Sequence, residues 1–201
     1  LYTENDKILR NRIYPLFKEA VEFFKEYIFQ DDAGAFLSGP SISPENSFCV
    51  EGRSYQISIS PTYEIIMIRE LFMEYSLMSN ILIKQGILQE NEQTLKELEQ
   101  IDDIIHKLPE YKILEDGTIS EYYYNLKVPD RQHRHTSHLL GVYPFHQINH
   151  ENTPLLAKAV QETNKSKIIP SETWENTGWA SSLLALYHAR LYDGNQAADH
   201  L

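Results

Sequence analysis

The amino-acid sequence predicts an all-α protein in which paired helices are joined by long loops. Apolar residues recur at three- and four-residue steps in several segments, which is the periodicity of a helix with one buried face. No two segments alternate in a way that predicts a strand pair; YQISIS, residues 55–60, is short and is expected to lead in extended form into a helix. Residues 31–60 and 109–135 lack helical periodicity, and irregular segments of that length are more often functional than idle.

The first two helices are predicted from apolar periodicity and from their end signals. The first covers YPLFKEAVEFFKEYIF, residues 14–29, and its apolar stripe is formed by Phe17, Ala20, Val21, Phe24 and Ile28. The second covers residues 60–86, with Ser60 as the cap, Pro61 in the first turn and Gly86 at the end. Because the second helix is apolar on more than one side, we expect it to be buried between neighbours.

Three further helices follow along the chain. The third is predicted over residues 91–108 and has one acidic face and one apolar face, the latter formed by Leu95, Leu98, Ile101, Ile105 and Leu108. The fourth opens at Thr153, and the fifth begins near Thr177 and ends at Gly194, where another helix begins. A short helical turn is predicted in TSHLLG, residues 136–141.

Composition limits the classes of partner. The 201 residues carry a net charge of −11, which argues against nucleic acid and anionic membrane surfaces, because both require basic patches. A neutral, hydroxyl-rich ligand such as a sugar is compatible with this charge. Cys49 is the single cysteine, so neither an internal disulfide nor a thiolate zinc site is expected. No apolar run reaches membrane-spanning length, no cofactor is expected, and secreted and cytoplasmic locations both stay open.

The loop SGPSISPENSF, residues 38–48, contains one isolated carboxylate, Glu45. A solvated surface loop is the commoner structure for such a segment and needs no charge partner. The alternative is a general acid, because Pro44 stiffens the backbone just before Glu45 and Asn46 is expected to form an Asx-type turn. Apolar surroundings would keep such an acid protonated until it donates.

The segment RQHRHTSHLLGVYP, residues 131–144, places His133, His135 and His138 close together. A metal site is not expected, because no nearby carboxylate or cysteine completes a ligand set and the two arginines would repel a cation. Neutral imidazoles and guanidinium groups suit hydrogen bonds to hydroxyls. A packing and capping role at a helix start is the alternative interpretation.

Two aromatic segments complete the candidates. ETWENTGWASS, residues 172–182, holds Trp174 and Trp179, whose faces suit the C–H side of a sugar ring; a capped helix with two core tryptophans is the alternative. SEYYYNLKVPDR, residues 120–131, holds Glu121 beside Tyr122, and these two side chains are expected at most at a pocket rim.

Taken in order, these segments resemble the catalytic domain of the family 95 glycoside hydrolases, the inverting α-L-fucosidases, over nearly the whole chain. The family's Ser-x-Ser-Pro-Glu loop is matched by residues 41–45, and its His-Arg-His-x-Ser-His-Leu-x-Gly-x-Tyr-Pro signature by residues 133–144. LRNRIYPLFKEAVEFFKEYI, PTYEIIMIRELF, the Thr-Gly-Trp of residues 177–179 and the Ala-Arg-Leu-x-Asp-Gly of residues 189–194 are also similar to family segments.

The resemblance implies a fold, a reaction and a set of site residues. The family fold is an (α/α)₆ toroid, of which residues 1–201 would be a single-domain internal segment. Glu45 would be the general acid in hydrolysis of a terminal fucosyl or related sugar linkage with inversion. His133, His135 and His138 would line the sugar subsite, and Trp179 would lie close to it.

The sequence also departs from the family pattern. The family's Asn-x-Asn pair and Ile-Asp-Gly-Asn-Phe-Gly motif, which activate the water, do not occur in the 201 residues. We therefore expect the isolated chain to be catalytically incomplete and its uncovered apolar helix faces to favour self-association. A non-catalytic carbohydrate-binding module and a purely structural helical module are the alternatives, and the structural one predicts Glu45 far from the histidines.

Overall fold

The computed structural model describes residues 5–167 and 177–201, and it is mostly helical with a few short strands. The prediction of a helix-dominated fold is thereby confirmed. The helices are α1 (Asp6–Ile8), a π-helical turn (Leu9–Ile13), α2 (Tyr14–Tyr27), α3 (Thr62–Lys84), α4 (Glu92–Lys107), a 3₁₀ turn (Ser137–Leu139), α5 (Pro154–Lys167), α6 (Gly178–Arg190) and α7 (Gly194–Asp199). No helix among the described residues is long and apolar enough to cross a membrane.

The prediction that the chain has no strand pairs was wrong. Three two-stranded antiparallel ribbons pair β1 (Phe29–Gln30) with β2 (Phe36–Leu37), β3 (Ser41–Ile42) with β6 (Ile57–Ser58), and β4 (Phe48–Val50) with β5 (Arg53–Tyr55). Strands of two or three residues are too short to show a period of two. The β4–β5 turn has φ of +50° at Glu51 and +78° at Gly52, as a type I′ hairpin requires, but Glu-Gly is not one of the usual sequence signals for it.

The helix boundaries follow their caps. Asn91 accepts from the backbone N–H of Thr94 and begins α4 as predicted, and Thr177 does the same for α6 through Ala180. Ser60 lies two residues before α3 with φ of +49°, so Pro61, and not Ser60 as predicted, directly precedes the helix. At the other end, α6 stops at Arg190, and α7 begins at Gly194.

The chain separates into two compact units. Unit 1 comprises Leu1–Ser38 and Met67–Pro109, and unit 2 comprises Gly39–Ile66 and Glu110–Leu201. In unit 1, a buried cluster forms around Leu9, Met78 and Leu82, and the rings of Tyr14 and Tyr75 stack with centroids 5.3 Å apart.

The core of unit 2 anchors the segment that carries the histidines. It is formed by the buried residues Ile119, Leu139, Val142, Ile148, Ala157, Ala159, Val160, Leu184, Tyr187 and Leu191. Within it, the Tyr187 hydroxyl lies 3.0 Å from Thr136 Oγ1, and burial raises the pKa of Tyr187 to about 12. Because Thr136 directly follows His135, this buried contact fixes the histidine segment to the α6 side of the core.

Candidate active site

Glu45 lies at the third position of a tight turn. The Asn46 N–H donates to the Ser43 carbonyl at 2.9 Å, so Pro44 and Glu45 are the two central residues of the turn. Proline favours the second position of a type II turn, and the third position requires positive φ, which Glu45 adopts at +54°. The predicted stiffening by Pro44 thus has a geometric basis. The Asn46 side chain, expected in an Asx turn, donates instead to Glu121.

Glu45 meets the histidine segment through its carboxylate. Arg134 Nη2 donates to Glu45 Oε2 at 2.7 Å, and His135 Nε2 lies 3.6 Å from the same oxygen. The Glu45 side chain is 59% exposed. The apolar surroundings expected for a protonated acid are therefore not found; an ion pair with a guanidinium takes their place.

The backbone around the two nearest histidines assigns their tautomers. His135 Nδ1 lies 3.2 Å from the Pro44 carbonyl, which can only accept, so Nδ1 carries the proton and Nε2 is left to face Glu45. His133 Nδ1 accepts from the His135 backbone N–H at 3.1 Å, so the proton of neutral His133 is on Nε2. Burial lowers the pKa of His133, and the positive charges of nearby Lys167 and Arg134 lower it further.

Glu45, His133 and His135 are also close enough together to be considered as metal ligands. Among the described residues, Glu45, His133 and His135 offer ligand atoms that all lie within 4.8 Å of one another, so the sequence analysis was wrong to find no carboxylate near the histidines. Two of these groups are already engaged: His133 Nδ1 with the His135 backbone and Glu45 with Arg134. The guanidinium of Arg134 would also repel a cation, so we keep hydrogen bonding as the better use of the cluster.

Aromatic rings line one side of the cluster. The ring of His135 is edge-to-face with His133, with centroids 4.9 Å apart, and with Trp179, with centroids 5.1 Å apart. The alternative of a capped helix with core tryptophans is right about the cap, which Thr177 provides, but wrong about Trp179, which is 56% exposed at the start of α6. Trp174, the other tryptophan of this segment, lies outside the described residues.

His138 lies apart from the other two histidines in its contacts. It is 3% exposed, and its Nδ1 lies 2.8 Å from Glu121 Oε2 as an ion pair, although the ring N–H is not aligned for a hydrogen bond. Together with Glu121, it lines a cavity of about 910 Å³ whose described lining includes neither Glu45 nor His135. Its predicted contact with a sugar stays a prediction.

Glu121 is the most enclosed carboxylate of the site. Its Oε1 accepts hydrogen bonds from Ser43 Oγ, from Asn46 Nδ2 at 3.0 Å and from Ser137 Oγ at 3.4 Å. Burial alone would raise the pKa of Glu121, but the charge of the facing His138, the Lys167 ammonium and the hydrogen bond from Ser43 lower it to about 2. Glu121 is therefore ionised in the folded protein.

Lys167 supplies a buried cation to the same region. Its Nζ donates to the carbonyls of His133 at 3.1 Å and His135 at 3.5 Å. Burial lowers the pKa of Lys167, and the negative charge of Glu121 opposes that effect. The histidine segment is thus tied to the end of α5 through its own backbone.

The roles of Glu121 and Lys167 were not predicted from the sequence. Glu121 was expected at most at a pocket rim, and the structure buries it instead. No spacing signal identifies either residue, because Glu121 lies 78 residues from Ser43 and Lys167 lies 34 residues from His133.

Comparison with known proteins gives two matches. The model of the glycosyl hydrolase family 95 catalytic domain matches residues 1–201. The chain is 32% identical over 197 residues to alpha-L-fucosidase 2 of Arabidopsis thaliana, and that alignment covers 98% of this chain and 22% of the relative. The chain thus spans about a fifth of the length of the curated relative that it matches.

Proposed function

Because the chain belongs to glycosyl hydrolase family 95, as the sequence resemblance predicted, we propose that residues 1–201 supply the acid side of an inverting α-L-fucosidase active site. The observation that carries this proposal is the meeting of the Glu45 turn with the histidine segment, with His135 Nε2 3.6 Å from Glu45 Oε2. The similarity to alpha-L-fucosidase 2 of Arabidopsis thaliana supports fucose as the sugar.

The proposed chemistry needs one proton from this chain. Glu45, in its protonated form, donates to the glycosidic oxygen as the bond from that oxygen to the anomeric carbon breaks. A water attacks the anomeric carbon from the opposite face and loses its proton to a base, so that the configuration inverts. That base comes from outside residues 1–201, since the family's two base-side motifs do not occur in them.

The sugar subsite is proposed beside the acid. His133 offers an Nε2–H donor to a hydroxyl, and the exposed Trp179 ring offers an apolar face to the C–H side of the sugar. Arg134, which faces Glu45 in this structure, would turn its guanidinium to a sugar hydroxyl when substrate binds. That movement would release the Glu45 carboxyl to take up a proton.

The test uses leaving-group dependence in the protein expressed from its complete open reading frame. Glu45→Gln should lower kcat/KM on fucosides with poor leaving groups by about 10²- to 10⁴-fold, the usual contribution of a general acid. It should leave α-L-fucosyl fluoride nearly unchanged, because fluoride departs without a proton. The matched control is Glu51→Gln, since Glu51 is exposed, lies in the next turn and also has positive φ, at +50°.

The outcomes separate clearly. NMR of the first product formed from an α-fucoside should show the β anomer. An equal loss on all substrates, or no loss, in Glu45→Gln would show that another group donates the proton. The isolated 201-residue chain should show no turnover, and strong turnover by it would contradict the proposal that the base lies elsewhere.

A second candidate, a non-catalytic sugar-binding module, is favoured by the Glu45–Arg134 ion pair. Glu45 and Arg134, 2.7 Å apart, together offer hydrogen-bond acceptors and donors to the hydroxyls of a sugar. This candidate predicts that L-fucose shifts the NMR resonances of His133 and His135 while the complete protein hydrolyses no fucoside. Turnover that depends on Glu45 excludes it.

A further inference from the structure

The turn that holds Glu45 is attached to the buried carboxylate of Glu121. Ser43 and Asn46, the first and last residues of the turn, both donate from their side chains to Glu121 Oε1. Both of these turn residues are buried, whereas Glu45 between them is exposed. The Glu121 carboxylate therefore holds the first and last residues of the turn. The Glu45 side chain between them lies on the surface, where a ligand can contact it.

The same carboxylate is attached to the histidine segment. Ser137 Oγ donates to Glu121 Oε1 at 3.4 Å, and His138 Nδ1 lies 2.8 Å from Oε2. Ser137 also lies 3.2 Å from Ser43 Oγ, so the two segments touch each other at the point where both touch Glu121. The Glu121 main chain is itself fixed, because its carbonyl accepts from the Thr62 N–H at the start of α3 at 3.0 Å.

We propose that Glu121 is the positioning residue of the acid: it fixes the Glu45 turn against the histidine segment, and so sets where Glu45 delivers its proton. This inference rests on the proposed function of Glu45. It assigns Glu121 a role in proton transfer although Glu121 touches neither the substrate nor the reacting atoms.

Glu121 is unsuited to be the proton donor itself. Three hydrogen bonds converge on Oε1 and an imidazole faces Oε2, so neither oxygen is available to a glycosidic oxygen. Because the charges of His138 and Lys167 keep Glu121 ionised, Glu121 has no proton to donate. Glu121 lines the cavity beside His138, but it does so as part of this buried network.

Loss of Glu121 should act on the acid in particular. The turn keeps Glu45 at φ of +54°, a conformation that a non-glycine residue holds only when its surroundings determine it. Glu121→Gln replaces the charged acceptor of Ser43 and Asn46 with a neutral amide oxygen, so both hydrogen bonds are weaker and the turn can relax. A misplacement of about 1 Å in a catalytic group can lower the rate about 10²-fold.

The experiment compares leaving groups in the protein expressed from its complete open reading frame. Glu121→Gln should lower kcat/KM on fucosides with poor leaving groups about 10- to 100-fold, and change turnover of α-L-fucosyl fluoride by less than about 3-fold. Glu121→Asp should recover part of the loss, because it restores the charge on a shorter arm. Glu115→Gln, an exposed glutamate of the same unit, is the matched control and should behave as wild type.

Two results would overturn the inference. If Glu121→Gln lowers turnover of the fluoride and of the poor substrates equally while remaining folded by circular dichroism, its role is general and not one of positioning the acid. If it leaves both unchanged, the turn does not depend on it. Failure of the proposed function gives a different result, since Glu45→Gln would then lack the leaving-group signature regardless of Glu121.

Asn46→Ala keeps the inference testable if Glu121→Gln does not fold. It removes one of the donors to Glu121 Oε1 and leaves the buried ion pair with His138 in place. We expect a loss of about 5-fold on poor leaving groups and none on the fluoride, because one hydrogen bond of the turn is lost. Equal loss on both substrates, or loss on neither, would count against positioning through this bond.

Discussion

Acid pH should destabilise unit 2 in large part through the buried carboxylate of Glu121. Glu121 ordinarily titrates near 4.5, and the charges of His138 and Lys167 lower its pKa to about 2 in the folded protein. A depressed carboxylate pKa contributes stability that is fully present above the unfolded value and is lost as pH falls through the folded value. The loss therefore falls in the window from about pH 4.5 down to about pH 2.

The size of this effect follows from the shift. A shift of about 2.5 units at 1.36 kcal/mol per unit gives about 3 kcal/mol of unfolding free energy at neutral pH. This is an upper figure, because His138 and Lys167 are coupled to the same charge. It is still a large share of the 5–15 kcal/mol that a domain typically has.

The assay is urea denaturation of the 201-residue chain at pH 5, 4, 3 and 2.5, followed by tryptophan fluorescence. Trp179 lies in unit 2, so its fluorescence reports on that unit. The wild type should lose about 2 kcal/mol more than Glu121→Gln over this range, because pH 2.5 still lies above the folded pKa, and Glu115→Gln should follow the wild type. If the difference between wild type and Glu121→Gln is the same at pH 5 and at pH 2.5, Glu121 does not have a depressed pKa and our account of the network is wrong.

Three further predictions concern packing, capping and association. Gly141→Ala places a Cβ 2.0 Å from the Tyr111 hydroxyl, so it should lower the free energy of unfolding by about 1–3 kcal/mol. Tyr111→Phe in the same chain should recover part of this loss in thermal melts. If the effects of the two substitutions on stability simply add, the clash is contradicted. Thr177→Ala removes the side-chain cap of α6 and should cost about 1 kcal/mol in the same melts, whereas Thr177→Ser should cost little. Leu16 and Phe23 are 64% and 60% exposed on α2, so light scattering should show self-association of the chain. The double variant Leu16→Lys with Phe23→Glu should reduce the self-association. A monodisperse wild-type monomer would contradict the prediction.

The helices were predictable because their signals are local. Apolar periodicity and the caps Asn91 and Thr177 identify α4 and α6 to within a residue or two. The ribbons were missed because a pair of two-residue strands has no periodicity to detect. Ser60 was misassigned as a cap because its identity suits one, whereas its left-handed backbone, which the sequence does not reveal, excludes it.

The sequence predicted which residues form the site, but not which contacts they make. The histidine signature and the Ser-Pro-Glu loop pointed to Glu45, His133 and His135, and the structure brings these three together. Arg134 was expected to bind hydroxyls, but pairing with a residue 89 positions away depends on how unit 2 folds. Burial of Glu121 depends on tertiary packing in the same way.

The backbone strain at Glu45 is informative because the chain contains its own comparison. Glu51 also has positive φ, but it sits in a two-residue hairpin turn where the twist of the strands demands that conformation, and its side chain is exposed. At Glu45, by contrast, the turn is fastened at both corners to a buried carboxylate, and the side chain it presents faces Arg134 and His135. A hairpin needs no such fastening to reverse the chain. The buried bonds at the corners therefore hold the direction of the Glu45 carboxylate, as our proposal of a proton donor requires.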